Sequence, residues 1–301
     1  MSEVSALQAE RRMVRKNVER AEFVRERPAS TEFGVVEKPL TSWERLCNNN
    51  AFRKTMILCV LVLAWEVYAR ILNNVLLFPT FVATLKALVE GFVSGGLLQK
   101  CFFSIKILLM GYGAGVLLAM VFTVFAITTR IGRDFLETLT AMFNPLPAIA
   151  LLPLALLWFG LGSGSLIFVL VHSVVWAVSL NTHSGFMAVS HTLRMVGNNY
   201  GLTGFRYVFR ILIPAAFPSI LSGLKIGWAF SWRTLIAAEL VFGVSSGSGG
   251  LGWFIYENKN LLEIPSVFAG LLSVILIGLI VENFIFRIIE QRTIAKWGMH
   301  T

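Results

Sequence analysis

Between Glu137 and Arg194 the chain runs for 56 residues without a single Lys, Arg, Asp or Glu. A helix needs about 20 apolar residues to cross the hydrocarbon of a bilayer, so this run is too long for one crossing. Gly162-Ser-Gly-Ser165 divides it into two, Thr138–Gly160 and Leu166–Thr182. The rest of the 301-residue chain has the same character: 56% of it is hydrophobic and 14% charged, where a soluble domain carries about 25% charged residues. A soluble fold has nowhere to bury that much apolar surface. The sequence specifies an all-α integral membrane protein.

The other spans follow from the same length rule. Thr55–Leu77 is the first; its Glu66 and Arg70 stand at i,i+4 spacing, where they pair on one helix face. Thr80–Val93 is milder and suits a helix lying along the outer surface. Ile105–Thr128 is the second span, with a GxxxG at Gly111 and Gly115 that permits close backbone contact. Pro145, Pro147 and Pro153 fall in the third span, which is therefore expected to be one kinked helix that either walls a pathway or uses its kink for packing. Pro218–Phe242 and Ile264–Ile285 complete about six transmembrane helices.

Residues 1–54 hold eleven Lys/Arg and eight Asp/Glu. A secretory leader has a short basic start followed directly by an apolar region, so this stretch is expected to be a cytoplasmic N-terminal tail. Within it Leu7–Glu26 suits a charged helix and Pro28–Pro39 a linker. Basic residues beside the spans divide 19 to one side and five to the other, which places both termini in the cytoplasm. The formal charge of +9 records this topology; because the basic residues are scattered between apolar runs, nucleic acid is excluded as a partner and lipid is implied.

Several chemistries are absent from the sequence. Cys47, Cys59 and Cys101 form no CxxC and have no metal-ligand spacing, so neither a disulfide framework nor a metal site is expected. The glycines of Gly243–Pro265 are not a phosphate cradle, since no Gly-Lys dipeptide occurs in the chain. No Ser-His-Asp order, HExxH or carboxylate pair can be placed at one membrane depth, so no catalytic residue is assigned. His172 in the fourth span reads as a hydrogen-bonded structural residue, and His183 and His191 as surface groups.

The connection Asn181–Ile213 is unlike a simple turn. It reads as one short helix over His183–Asn198, a break at Gly201, and a second helix over Thr203–Leu212 stopped at Pro214. The stretch Phe205-Arg-Tyr-Val-Phe-Arg210 mixes large aromatics with Arg, the usual anchors of a protein–protein contact.

With Gly201, nine further residues and Ile211-Leu-Ile-Pro214, this connection resembles the cytoplasmic signature of the membrane subunits of bacterial ABC importers, specifically the nitrate/taurine/sulfonate/bicarbonate type. Met195 stands where that family has a Glu, so no salt bridge from that position is carried over. Asn144-Pro-Leu-Pro-Ala-Ile-Ala-Leu-Leu-Pro153 through Trp158-Phe-Gly160, Ser231–Glu239 and Gly250-Leu-Gly-Trp253 are similar to the same subgroup, and the resemblance spans residues 78–295. It implies a type I ABC importer transmembrane fold over 98–290, behind a first transmembrane helix at 55–77 and before a cytoplasmic C-terminal tail at 291–301. It also implies a homodimer of this chain, two cytoplasmic ATPase subunits and an extracytoplasmic solute-binding protein in the bacterial inner membrane. No cofactor is bound by this chain; ATP and Mg belong to the partner ATPase. The loop 183–214 becomes the coupling element, with Gly197, Gly201, Phe205, Arg206, Phe209, Arg210 and Pro214 facing the ATPase. The implied solute is a small organic or inorganic anion such as a sulfonate, carboxylate, nitrate or bicarbonate, with a vitamin or pyrimidine precursor as the alternative.

Intramembrane charges are expensive and either face a cavity or find a partner. Lys225, Trp228, Trp232 and Glu239 fall on one broad face of the fifth span at helical spacing, with Arg233 one position round. Two readings of Arg233 stand: it lines the translocation path beside Trp228, Trp232 and Glu239, with Pro153 and Trp158 on the third span, or it neutralises a buried acid such as Glu66 or Glu239. Two other functions are weighed against an importer subunit. A stand-alone secondary transporter or channel would show matching broken helices in two halves, and an intramembrane enzyme would show paired catalytic groups; the sequence has neither.

Overall fold

In a computed structural model of the chain the described residues are 48–93, 95–246 and 249–296. The expected tail helix and linker at 1–47 and the end of the C-terminal tail lie outside them. The chain divides after Ile57 into two units. Of the first, residues 48–57 are described, and they contain the opening turns of the first helix.

Helices α1 (Asn50–Leu72), α2 (Phe81–Val93) and α3 (Leu97–Thr128) come first, then α4 (Arg130–Phe143), a 3-10 turn at Ala148–Leu151, α5 (Leu152–Phe159) and α6 (Ser163–Ala188). They are followed by α7 (His191–Asn199), α8 (Gly204–Tyr207), a π turn at Val208–Leu212 and α9 (Ile213–Ser246). The chain closes with α10 (Leu251–Asn260), α11 (Ile264–Ile280) and α12 (Arg287–Glu290), the last flanked by π turns. There is no strand among the described residues. Five helices are long and apolar enough to cross a membrane, and the bent pair α4 and α5 raises the number to six.

The core is built on α6, which packs against α3 on one side and α9 on the other. The approach is close enough to require small residues. A Cβ on Gly111 would lie 2.5 Å from the Leu170 Cβ, and one on Gly115 2.7 Å from the Val174 Cβ. Lipid offers no hydrophobic drive between helices, so such backbone-to-side-chain packing is what holds them. Leu108, Val169, Leu170, Leu235, Leu251 and Ala269 are fully enclosed there, while Leu61, Leu63 and Ile71 on α1 stay exposed, as residues that face lipid do. Trp65 joins α1 to its neighbours: its indole N–H donates to the Pro79 carbonyl at 2.9 Å, and its ring lies 5.6 Å from both Phe81 and Phe268. Glu66 and Arg70 form the expected i,i+4 pair at 2.8 Å.

Three expectations are corrected. The third span is two segments bent by 88° rather than one kinked helix. Pro145 and Pro147 both lack an N–H, so the α4 ladder ends at Phe143 and helical bonding resumes only past Pro147. Pro153 is not part of the bend; it sits at the first turn of α5, where a missing N–H costs nothing. Pro214 does not stop a helix, and the fifth span does not begin at Pro218. In the π turn before α9 the Ile213 N–H bonds to the Val208 carbonyl, five residues back, and the chain passes Pro214 in α9's first turn without a break. Pro218 lies inside α9. Finally, His183 belongs to the last turns of α6, not to a short loop helix, and is buried with its Nε2 unpartnered; His191 alone of the two is exposed.

Candidate functional site

Two features stand apart from helix packing. The first is the connection α6–α7–α8. Ser190 caps α7, its hydroxyl accepting from the Leu193 N–H at 3.4 Å. Arg194 ties α7 back to the end of α6, donating to the carbonyls of Phe186 at 2.7 Å and Val189 at 3.2 Å. At the other end the Leu202 N–H reaches the Gly197 carbonyl and the Gly201 N–H the Asn198 carbonyl, the closing pattern that calls for a left-handed residue. Gly201 supplies it at φ 66° and Gly204 follows at φ 57°. Gly197 has its own reason: a Cβ there would meet the Tyr207 ring at 2.6 Å. Beneath, Phe186, Val189, Leu212 and Ala216 form a small apolar core. On the outside, Arg206, Arg210, Met195, Tyr200 and Phe209 are exposed, Phe209 by 65% and Tyr200 by 80%. Pro214 is half-buried at the start of α9; the side chain of Phe205 lies outside the described set. The result is a rigid turn presenting aromatics and two guanidinium groups.

The second feature is a cleft of about 350 Å³ where the α4–α5 bend faces α6 and α9. Phe143, Asn144, Pro145 and Pro147 line it from the bend, His172, Ser173 and Trp176 from α6, and Phe230, Arg233 and Thr234 from α9. Carbonyls at the bend are satisfied within it: those of Thr140, Phe143 and Pro147 accept from Asn144, Leu146 and Ala150. Arg233 donates through Nε to the Ala229 carbonyl at 3.1 Å, and its guanidinium lies 5.2 Å from the Phe230 ring. Among the described residues no carboxylate pairs with it. The two acids considered as its partners are engaged elsewhere, Glu66 with Arg70 and Glu239 with Ser104. His172 departs from the expectation of a hydrogen-bonded residue: both ring nitrogens are buried without a partner, as is the Trp176 indole N–H.

The remaining path candidates are placed differently. Trp232 is buried in the main core, and Trp228 packs edge-on to Tyr112 and Phe286 at 5.4 and 6.3 Å. Trp158 and Pro153 are exposed on α5, Trp158 against Phe168. Glu239 is enclosed and serves as an anchor. Ser104 Oγ donates to both its oxygens at 2.8 Å and the Gly252 N–H to Oε2 at 2.9 Å, while the Leu251 N–H donates to Ser104 Oγ at 2.8 Å. The acid thus holds the N-terminus of α10 onto α3 and α9. Lys225 pairs with Glu290 at 2.6 Å. Trp176 and Phe230 are cleft residues the sequence did not single out, and His172 and Asn144 were not assigned to a path. Their only advance signal is the combination of a proline-rich break with polar groups in otherwise charge-free spans. No group of three or more metal-ligating side chains occurs among the described residues.

A bundle of five or six apolar spans with a cleft at a broken one, joined to an exposed aromatic and basic turn, defines a multi-pass membrane protein with a face suited to a protein partner. Comparison with known proteins specifies it further. The family of binding-protein-dependent transport system inner membrane components matches residues 111–295, and the chain belongs to that family. It is similar to a putative ABC transporter permease protein of Methanocaldococcus jannaschii, 30% identical over 77% of this chain and 86% of that one. It is also similar to the nitrate import permease protein of Synechocystis, 30% identical over 65% of this chain and 70% of the relative. The taurine transport system permease protein of Escherichia coli is 26% identical over 69% and 74% respectively. The chain is thus a multi-pass inner-membrane permease component of an ABC transporter.

Proposed function

We propose that this chain, as a homodimer, forms the translocation path of an ABC importer for a small anion, driven by two cytoplasmic ATPase subunits and supplied by an extracytoplasmic solute-binding protein. Both termini lie in the cytoplasm, with the tails at 1–54 and 291–301 outside the transmembrane domain at 98–290. The chain itself hydrolyses nothing, and ATP and Mg bind the partner.

The observation that carries this reading is the capped turn α7–α8. The capping hydrogen bonds closed at Gly201, the Arg194 tie and the Gly197–Tyr207 packing fix its shape, while Tyr200, Arg206, Phe209 and Arg210 stay outside. A stiff element with such a face suits a socket on another protein. Its second arm continues through the π turn into α9, so a pull by the ATPase moves a spanning helix directly. Names of relatives support an oxyanion head: nitrate for one, and for another taurine, a zwitterion whose negative end is a sulfonate. Arg233 in the cleft agrees with that sign.

The test is purification of the tagged chain from its native host in mild detergent. A stoichiometric ABC ATPase that disappears on changing Arg206 and Phe209 to Glu is the expected result. A chain that arrives alone and moves solute in vesicles without ATP would refute the reading in favour of a secondary transporter.

A further inference from the structure

The last spanning helix continues past the bilayer it crosses. The 18 residues Ile264–Val281 carry no charge and, at about 1.5 Å per residue, cover about 27 Å, close to the hydrocarbon thickness of about 30 Å. Glu282 therefore stands where hydrocarbon gives way to headgroups. The helix changes register at that level. The Arg287 N–H bonds to the Glu282 carbonyl, five residues back, so the π turn Val281–Phe286 stacks side chains 282 and 287, where an α-helix would stack 282 with 285 and 286. Such π turns are rare and are frequent at functional sites.

The two side chains open into a hollow of about 450 Å³ shared with α9, lined by Lys225, Glu282, Arg287, Glu290 and Gln291 among others. Lys225 and Glu290 neutralise each other at 2.6 Å. Among the described residues no ion pair or hydrogen bond engages the Glu282 carboxylate or the Arg287 guanidinium. Two acids and two bases leave the lining neutral overall, with one carboxylate and one guanidinium free to meet a ligand. Such a lining selects against a simple anion or cation and for a molecule that carries both signs. The guanidinium suits a phosphate, which it grips with two parallel N–H bonds, and the carboxylate suits an ammonium that still has N–H groups to donate. The same turns expose Phe284, Ile285 and Ile288, so apolar surface lies next to the hollow at the level where headgroups meet acyl chains.

We propose that this hollow is a binding site for the headgroup of a phospholipid that carries a phosphate and a primary ammonium, the phosphate on Arg287, the ammonium on Glu282 and the acyl chains along Phe284 and Ile288. The inference goes beyond the importer reading and does not rest on it. A basic side chain at a membrane surface holds an anionic group only modestly, so removing one of the two free charges weakens retention about fivefold.

Native mass spectrometry of the full-length chain in detergent, with any copurifying subunits retained, tests the site. The probes are dioleoyl-phosphatidylethanolamine, -phosphatidylcholine and -phosphatidylglycerol in equal amounts. The ethanolamine lipid should be retained several-fold over the other two, the choline lipid losing because its ammonium has no N–H and the glycerol lipid because it has no cation. Arg287→Gln should cut that retention about fivefold. Glu282→Gln leaves the lining net positive and should turn the preference towards phosphatidylglycerol, an inversion that a merely structural role would not produce. Lys259→Gln, outside the hollow, should behave as the parent, and unchanged melting temperatures would show that the variants remain folded. Soluble glycerophosphoethanolamine at equal concentration should displace none of the lipid; displacement would refute the part given to the acyl chains. No ethanolamine preference in the parent, or a parental preference in Glu282→Gln, would overturn the proposal. So would a preference seen only after copurifying subunits are stripped away, which would give the hollow to a protein partner. The importer reading stands or falls separately, on whether the ATPase copurifies.

Discussion

Glu239 offers the sharpest test of how α10 is held to the bundle. In the Glu239→Ala variant two donors lose their acceptor at once, the Ser104 hydroxyl at 2.8 Å and the Gly252 N–H at 2.9 Å. A buried donor left without its acceptor costs about 1–3 kcal/mol, so the expected loss for the two is about 2–6 kcal/mol. The lower end applies where the Ser104 hydroxyl turns to the carbonyl four residues back in α3. At about 2 °C per kcal/mol for a chain of this size, melting should fall by about 4–12 °C. Glu239→Gln keeps one acceptor for the Gly252 N–H and should fall by less than half as much. Gly252→Ala attacks the same joint from the other side, because its Cβ would stand 2.6 Å from both the Glu239 Cβ and the Ile236 carbonyl oxygen. The assay is thermal unfolding of the detergent-solubilised chain followed by tryptophan fluorescence. A shift below about 3 °C in Glu239→Ala would refute the claim that this carboxylate anchors α10.

Other substitutions probe other joints. Gly115→Leu must drive side-chain volume into Val174, and should cut the yield of monodisperse protein in size-exclusion chromatography by well over half. Gly201→Val forces a β-branched residue to φ 66°, at about 1–3 kcal/mol of strain; solute uptake by the reconstituted complex should fall several-fold while membrane insertion is unchanged. Lys225→Ala breaks an ion pair whose side chains are 28% and 48% exposed, and should shift stability by no more than about 1 kcal/mol.

The spans were readable because lipid imposes a rule on composition: a 56-residue charge-free run has one interpretation. The turn at Gly201 was readable because glycine is the residue that most easily takes the left-handed conformation closing a helix that way. Proline was the misleading signal. At Pro214 and Pro218 it suggested termini, yet a π turn and the first-turn position absorb the missing N–H of one, and the other is carried inside α9. At Pro145 and Pro147, two prolines in three residues did what one elsewhere did not. The cleft was illegible for a different reason. Asn144, His172 and Arg233 come from three elements, and helical spacing along α9 alone groups Arg233 with Trp232, which instead packs inward. Likewise nothing local links Lys225 to Glu290, 65 residues away.

The continuity of α8, the π turn and α9 has a mechanical meaning. From Gly204 to Ser246 the chain is one unbroken helical piece, about 60 Å at the standard rise, or twice the thickness of the hydrocarbon it crosses. It is a push-rod. One end is clamped into the turn that closes α7, and near the other the Glu239 side chain is bolted to α10. With no loop between them to absorb slack, a tilt imposed at the α8 end arrives at the Glu239 joint as displacement. The π turn, where the hydrogen-bond register slips by one, and Pro218, where a ladder bond is missing, are the rod's points of compliance, and their stiffness sets how much of each stroke gets through.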